Sequence, residues 1–182
     1  MHWCRGFMLA GVLSLVGAAV QAGDVSIKGV HLCCGACVKD ATAALEGVDG
    51  LTGIGMDRNT KVIVFKATDE KAAQAAIEEL AEAGFHGTAT FDKKVIAFPA
   101  SGAEKGAKAN LFVVTGVHLC CGACVTGAQK ALEDVPGLAE AKIDRAAKTI
   151  TLTGNEVEIA AAIGALNKAG FHATLKKEKA AK

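Results

Sequence analysis

The sequence has 182 residues, with 20 basic and 19 acidic side chains, five histidines and seven cysteines. A chain this close to neutral lacks the positive surface that nucleic-acid binding requires, and with no Tyr and one Trp it offers few rings on which bases could stack. The composition therefore excludes nucleic acid as an expected partner.

The N-terminal segment, residues 1–22, is predicted to be a secretory signal peptide. Arg5 supplies its positive charge, Phe7 to Val20 is an apolar run of about 14 residues, and Val20-Gln21-Ala22 carries the small residues that a signal peptidase recognises. The run is shorter than the roughly 20 residues that span a bilayer, although an uncleaved membrane anchor is the alternative. Cleavage would leave 19 basic and 19 acidic residues and no membrane segment, in a periplasmic or secreted protein.

The remaining sequence contains an internal repeat. The ten residues Gly29 to Val38, GVHLCCGACV, recur unchanged at Gly116 to Val125, an offset of 87, and Asp57-Arg58 recurs as Asp144-Arg145 at the same offset. The AGFH segment that ends at His86 recurs as well. Two copies predict two small domains, because a solenoid needs at least three repeats to bury its core.

The domain boundaries follow from this repeat. We expect the first domain at 23–91, a linker at 92–109, the second domain at 110–177 and a Lys-rich tail at 178–182. The linker is polar, contains Gly and has no periodicity, as is typical of a flexible connection. Within it, Val95, Ile96 and Phe98 could instead extend the last strand of the first domain.

Each copy is predicted to read strand, helix, strand, strand, helix, strand. In the first copy the elements are a strand at Val25–Val30, a helix from about Cys37, strands at Leu51–Met56 and Lys61–Ala67, a helix at Asp69–Ala83 and a strand at His86–Phe91. The residues at helical spacing are Val38, Ala41, Leu45 and Val48, then Ala73, Ala76, Ile77 and Leu80; in the second copy they are Val125, Ala128, Leu132 and Val135, then Ile159, Ala162, Ile163 and Leu166.

Turn and cap signals support these boundaries. Asp57 to Thr60 suits the turn of a hairpin, Gly84 and Gly170 suit the ends of the second helices, and Asn155 with Glu158 resembles a capping box. The β-α-β-β-α-β order predicts an α+β fold: two ferredoxin-like sandwiches in tandem, each with both helices on one face of an antiparallel sheet.

Six cysteines would remain after Cys4 is removed with the signal peptide, and they form two triplets, Cys33-Cys34-Cys37 and Cys120-Cys121-Cys124. Bunched cysteines favour a metal or redox site over a structural disulfide framework. The CxxC pairs Cys34/Cys37 and Cys121/Cys124 lie where a strand gives way to a helix, whose N-terminal N–H groups favour thiolate. Two such thiolates suit Cu(I), Zn(II), Cd(II) or Hg(II), and linear Cu(I) or Hg(II) in particular.

The CxxC loop between the first strand and first helix, together with the Gly-Phe pair after the second helix, resembles the heavy-metal-associated domain family. That family includes copper chaperones, N-terminal domains of metal-pumping ATPases and the periplasmic mercury-binding protein. The resemblance implies that the two CxxC pairs bind the metal, that Leu32 and Leu119 replace an inward-packed Met, and that Phe85 and Phe171 shield the loop. Cys33 and Cys120 depart from a usual Thr, and His31 and His118 from a usual Gly.

The cysteines and histidines that depart from the family pattern could add ligands to the metal site. Adjacent residues of an extended segment point to opposite sides, so we expect Cys33 and Cys120 to pack rather than bind; a third thiolate, within the chain or from a second molecule, is the alternative. Four histidines remain candidates because they occupy equivalent positions in both copies: His31, His118, His86 and His172. The last two follow the Gly-Phe pair, whose loop borders the metal site in this family.

The function expected is binding, buffering or transfer of a soft metal ion, Cu(I) first and Zn(II) or Hg(II) next, with another metal-carrying protein or a metal-pumping ATPase as partner. One alternative is a thiol–disulfide oxidoreductase that uses the CGAC pairs, although no cis-Pro candidate occurs in both copies. Another is a non-catalytic interaction module. The sequence shows no nucleophile elbow or phosphate loop, so we expect no enzymatic activity.

Overall fold

The computed structural model describes residues 22–176, so the predicted signal peptide up to Gln21 and the predicted tail lie outside the described residues. The first repeat contains β1 (Gly23–Lys28), α1 (Gly35–Glu46), β2 (Leu51–Asp57), β3 (Val62–Ala67), α2 (Glu70–Glu82), β4 (Thr88–Phe91) and β5 (Lys94–Ile96). The second contains β6 (Lys108–Thr115), α3 (Gly122–Leu132), β7 (Leu138–Asp144), β8 (Thr149–Glu158), α4 (Ile159–Lys168) and β9 (Thr174–Leu175).

Each repeat forms its own antiparallel sheet. The strand order is β2-β3-β1-β4-β5 in the first and β7-β8-β6-β9 in the second. In each sheet the first strand of the repeat lies between the third and fourth, and the two helices pack together. The predicted α+β fold of two ferredoxin-like sandwiches is confirmed. No helix within the described range is long and apolar enough to cross a bilayer.

The second helices bury the predicted residues. In α2 these include Ala73, Ala76, Ile77 and Leu80, and in α4 they are Ile159, Ala162, Ile163 and Leu166. The first helices differ slightly from expectation, because α1 begins at Gly35 and its buried stripe is Cys37, Ala41 and Leu45, with Val38 only half-buried. The earlier start brings Cys37 onto the core side of the helix.

The ends of α2 and α4 are built differently. The side chain of Asp69 caps α2 by accepting a hydrogen bond from the backbone N–H of Ala72 at 2.8 Å. The capping box predicted at Asn155 and Glu158 is wrong, because Asn155 lies inside β8 and Glu158 at the helix start makes no side-chain cap. The strand continues here because β6 pairs with β8 as far as Lys108 opposite Glu158.

The segment predicted as a linker is partly structured. Residues Lys94–Ile96 form β5, which pairs with β4 at the edge of the first sheet, as the apolar run Val95-Ile96 allows. Ile96 is buried there, whereas Val95 is exposed. The irregular connection between the repeats is therefore confined to the stretch between Ile96 and Lys108.

The two repeats meet through the segments that follow α2 and α4. Phe85 and Phe171 form an antiparallel β-bridge, His86 donates its N–H to the Gly170 carbonyl at 3.0 Å, and His172 donates to the Gly84 carbonyl at 2.9 Å. Both phenylalanine side chains are fully buried, and a fully buried side chain of this size contributes about 1.5–3 kcal/mol. The two copies therefore face each other in a near-symmetric pair.

Gly84 and Gly170 permit this close approach. Their φ angles are +86° and +90°, which confirms the left-handed helix ends that the sequence predicts. A β-carbon on Gly84 would collide with backbone atoms of Gly116 and His118 in the second repeat. One on Gly170 would collide with backbone atoms of Gly29 and His31 in the first. Each glycine thus ends a helix and admits the backbone of the opposite repeat.

Candidate metal centre

Each CxxC pair lies at a helix N-terminus. Cys34 is the N-cap of α1, with an extended backbone at φ −148° and ψ 174°, and Cys121 caps α3 with nearly the same angles. Neither side chain caps the helix by a hydrogen bond, which leaves both sulfurs free. Cys37 and Cys124 follow in the first turn and are buried. The unpaired N–H groups and the positive helix end favour a negative charge at these thiols.

The structure brings the two predicted sites together. The six cysteines in the described part of the chain are free thiols, and their sulfurs form a continuous network of separations between 3.4 and 3.9 Å. We call this the thiol cluster; its members are Cys33, Cys34, Cys37, Cys120, Cys121 and Cys124. The sequence led us to expect one separate site per repeat, because the pairing of the repeats leaves no signal in either copy alone.

Cys33 and Cys120, the extra cysteines that directly precede the two CxxC pairs, bridge the repeats. The sulfur of Cys33 lies 3.7 Å from that of Cys121 and 3.5 Å from that of Cys124. Reciprocally, the sulfur of Cys120 lies 3.7 Å from that of Cys34 and 3.5 Å from that of Cys37. We expected these two residues to pack, with a third thiolate as the alternative. The structure places each of them against the CxxC pair of the other repeat as well as against the second cysteine of its own pair.

Hydrogen bonds within the cluster divide its charge unevenly. The hydrogen bond between the thiols of Cys37 and Cys124 lowers the pKa of Cys37 and raises the pKa of Cys124. A backbone hydrogen bond from Cys124 lowers the pKa of Cys121 to about 6. Burial raises the pKa of Cys33 to about 12 and also raises that of Cys120. Metal binding must displace the proton of every thiol that becomes a ligand.

His31 and His118 close the buried side of the cluster. The ring of His31 stacks on Phe171 with centroids 4.1 Å apart, and His118 stacks on Phe85 at 4.2 Å. An imidazole nitrogen of His118 lies within 4.8 Å of the sulfurs of Cys37, Cys120 and Cys124. An imidazole nitrogen of His31 likewise lies within 4.8 Å of the sulfurs of Cys33 and Cys124.

The Nε2 atoms of His31 and His118 are buried and have no hydrogen-bond partner among residues 22–176. The nearest carboxylate to His118 is Asp40, at 3.9 Å, which is longer than a hydrogen bond. A buried nitrogen without a partner costs stability. One ring nitrogen of each histidine lies within 4.8 Å of cluster sulfurs, so both histidines remain ligand candidates.

His86 and His172 lie elsewhere. Their Nδ1 atoms are 3.3 Å apart in the interface between the repeats, and the His86 ring packs against Phe98. Within residues 22–176, the groups of side chains close enough to hold one ion contain neither of them. Burial, together with the neighbouring His172, lowers the pKa of His86 to about 4. Burial also lowers the pKa of His172. Both are interface residues in this structure.

Sequence reasoning missed a role for Arg58 and Arg145. The Asp57 carboxylate accepts a hydrogen bond from the N–H of Asn59 at 2.8 Å and shapes the turn. This turn directs Arg58 toward the metal loop, by which we mean the segment between the first strand and first helix of a repeat that carries the extra cysteine. Arg58 then donates to the Cys33 carbonyl at 3.0 Å, and Arg145 donates to the Cys120 carbonyl at 2.8 Å. The signal that could have shown this is the Asp-Arg pair, which repeats at the same offset as the cysteine motif.

Comparisons with known proteins agree with this architecture. Residues 114–172 match the family model of the heavy-metal-associated domain (HMA). No curated protein matches the sequence.

Solved structures align with one or both repeats. The N-terminal soluble domains of Bacillus subtilis CopA share 22% identity, over 88% of this chain and 98% of that one, with a TM-score of 0.32. Oxidized MerP from Ralstonia metallidurans CH34 shares 19% identity, over 39% of this chain and 100% of that one, with a TM-score of 0.35. The PacS N-terminal domain from Synechocystis PCC6803 shares 23% identity, over 38% of this chain and 100% of that one, with a TM-score of 0.34.

Proposed function

We propose that this chain binds a soft metal ion and buffers it or passes it on. Its second repeat matches the heavy-metal-associated domain model, and its first repeat carries the same ten-residue motif. Cu(I) is the first candidate, with Zn(II) and Hg(II) next. The observation that carries this proposal is the thiol cluster, whose reduced sulfurs converge at the N-termini of α1 and α3.

The chemistry of the cluster supports Cu(I) as cargo. Thiolates are soft ligands that select Cu(I), and no carboxylate belongs to the groups of side chains that are close enough to hold one ion among the described residues. Zinc in a structural site takes four ligands in a tetrahedron. Among the described residues, the group that brings four ligand atoms together joins His118 to three sulfurs. We therefore place zinc second.

Transfer of the ion needs an accessible edge of the site. Cys34 and Cys121 are half-buried, and the Gly35-Ala36 and Gly122-Ala123 segments beside them are exposed. A partner thiol could approach from this side and exchange ligands one at a time. We propose that the partner is another metal-carrying protein or a metal-pumping ATPase, and that transfer takes place in the periplasm or outside the cell. The signal-like sequence before Gly23 is the support for that location.

A metal titration tests the proposal. The reduced protein should compete with a strong chromophoric Cu(I) chelator and saturate at two Cu(I) per chain, with thiolate-to-metal absorbance in the near ultraviolet. Replacing Cys34 and Cys37 with Ser should remove one equivalent and leave the other. Failure of the reduced, folded protein to take Cu(I) from the chelator would falsify the proposal.

A further inference from the structure

We propose that each metal ion is held by three thiolates drawn from both repeats: the CxxC pair of one repeat and the extra cysteine of the other. One site is then Cys121, Cys124 and Cys33, and its counterpart is Cys34, Cys37 and Cys120. This inference rests on the proposed function, since it concerns how the same cluster coordinates Cu(I). It reverses the expectation that the extra cysteines only pack.

Four triplets of sulfurs form triangles with sides of 3.4–3.9 Å, and one pair of these triangles uses all six sulfurs without sharing any. Around the second CxxC pair, the sides are 3.7 Å from Cys33 to Cys121, 3.5 Å from Cys33 to Cys124 and 3.7 Å between the pair itself. Around the first pair, Cys120 completes sides of 3.7, 3.5 and 3.6 Å. The two independent copies agree to within 0.1 Å on every side.

These triangles have the size that a metal ion requires. An ion at the centre of a triangle with sides of about 3.6 Å lies about 2.1 Å from each sulfur, the side divided by √3, and zinc–thiolate bonds are about 2.3 Å. Each sulfur therefore needs to move outward by only a few tenths of an ångström. The sulfurs of each triangle thus lie close to the positions that a bound ion requires.

The extra cysteine does not form such a triangle in its own repeat. Cys33 contacts Cys37 at 3.4 Å, and Cys37 contacts Cys34 at 3.6 Å, but Cys33 and Cys34 are brought only within 4.8 Å of each other, whereas Cys33 contacts both members of the second pair at 3.7 and 3.5 Å. The reason is local: Cys33 lies in the irregular stretch between β1 and α1, with its carbonyl held by Arg58. Its thiol is thereby directed to the second repeat.

The surroundings compensate the charge of the two sites. Three thiolates and one Cu(I) carry a charge of about −2, which is costly where it is partly buried. The N-termini of α1 and α3 face the sulfurs, and the guanidinium groups of Arg58 and Arg145 bind the adjoining carbonyls. The two triangles adjoin through Cys37 and Cys124, whose sulfurs are 3.9 Å apart, so the ions would be neighbours in one cluster.

The test isolates one site and then removes an extra cysteine. In a protein with Cys34→Ser and Cys37→Ser, the remaining Cu(I) is expected on Cys121, Cys124 and Cys33. Adding Cys33→Ser should lower its Cu(I) affinity at least tenfold. Adding Cys120→Ser, the matched control in the same repeat as the remaining pair, should change it by less than twofold. In the mirror background, Cys121→Ser with Cys124→Ser, the roles of the two extra cysteines should exchange.

Affinity is measured by competition with a chromophoric Cu(I) chelator, and the solution mass shows whether each form stays monomeric. If Cys120→Ser rather than Cys33→Ser weakens the first background, the third ligand comes from within the repeat and the inference is overturned. If neither matters, the sites have two thiolates; the inference fails while the proposed function stands. A Cu(I)-induced dimer would place the third thiolate in another molecule and would also overturn it.

X-ray absorption of the unmodified, Cu(I)-loaded protein provides a test that does not depend on how the variants fold. Three sulfur neighbours per copper are expected, and two would contradict the proposal. Absence of any Cu(I) binding by the unmodified reduced protein is a separate result, because it would defeat the proposed function itself.

Discussion

Phe85 and Phe171 pair as an antiparallel β-bridge, and each ring also stacks on the histidine that lies two residues before the extra cysteine of the opposite repeat. The interface and the metal loops are thus in direct contact. A change that shifts one phenylalanine must shift the opposite loop. The arrangement of the sulfurs consequently depends on how the repeats dock.

Substitution of the interface glycines tests this dependence. Gly84→Ala and Gly170→Ala place a methyl group at a positive φ and against the backbone of the other repeat. A non-glycine residue in this conformation costs about 1–2 kcal/mol, and the collision should raise the loss in unfolding free energy above that value. Denaturant unfolding measures it, and the Cu(I) affinity should fall with it.

Gly53→Ala is the matched control for that experiment. Its φ is +64°, yet a β-carbon there would meet no atom within 4 Å. It should show the backbone cost alone and leave Cu(I) binding unchanged. Equal losses in all three variants would mean that the interface glycines act only as helix ends.

The interface should weaken in acid. A histidine of the unfolded chain takes up a proton near pH 6.5, whereas burial lowers the pKa of His86 to about 4 and lowers that of His172. Between these values the unfolded state binds more protons, so the stability present above pH 6.5 is lost as the pH falls toward 4. At ~1.4 kcal/mol per pKa unit, we expect a loss on the order of 2 kcal/mol from pH 7 to 4.5.

The carboxylates also titrate in acid, so the comparison is with a variant. His86→Gln combined with His172→Gln should flatten the decline in unfolding free energy between pH 6.5 and 4.5. A decline as steep as that of the unmodified protein would show that these two histidines do not cause it.

The arginine contacts should matter for metal binding more than for folding. Arg58→Ala and Arg145→Ala each remove a hydrogen bond to a metal-loop carbonyl, from side chains that are exposed. Because the loop then loses its fixed geometry, we expect a three- to tenfold lower Cu(I) affinity and less than about 1 kcal/mol change in unfolding free energy. Chelator competition and denaturant unfolding give the two values.

Lys39→Ala removes the same charge from an exposed position on α1 without touching the loop. It should leave the Cu(I) affinity within twofold of the unmodified protein. If Lys39→Ala weakens binding as much as Arg58→Ala does, the arginines contribute through net charge and not through the carbonyl contact.

The thiols should not catalyse disulfide exchange. We expect the reduced protein to reduce insulin disulfides no faster than a free dithiol does, because the second cysteine of each pair, Cys37 or Cys124, is buried among other sulfurs. Turbidity of insulin reports the rate. Rapid turnover that disappears with Cys37→Ser and Cys124→Ser would favour the oxidoreductase.

The sequence indicated the fold and the CxxC pairs because both depend on local patterns. Helical spacing predicted the buried faces of α2 and α4, and the Gly-Phe pairs predicted the helix ends at Gly84 and Gly170. The capping box failed because pairing of β8 with β6 outweighed a local cap signal.

The clustering of the thiols could not be predicted from one repeat. It depends on backbone atoms of Gly84 and Gly170 that meet the opposite copy, and periodicity within either copy carries no information about that contact. The identical motifs predicted equivalent sites, but equivalence is compatible with two separate sites or with two that share their sulfurs. Docking of the repeats decides between these possibilities.

The short connection between β5 and β6 turns the meeting of the two metal loops into an event within a single chain. Short flexible connections give an effective concentration in the millimolar range. A pair of separate single-repeat proteins would come apart on dilution to nanomolar levels and lose any ligand set drawn from both. Here the loops stay together at any dilution, so the chain can hold its metal when only a few copies are present.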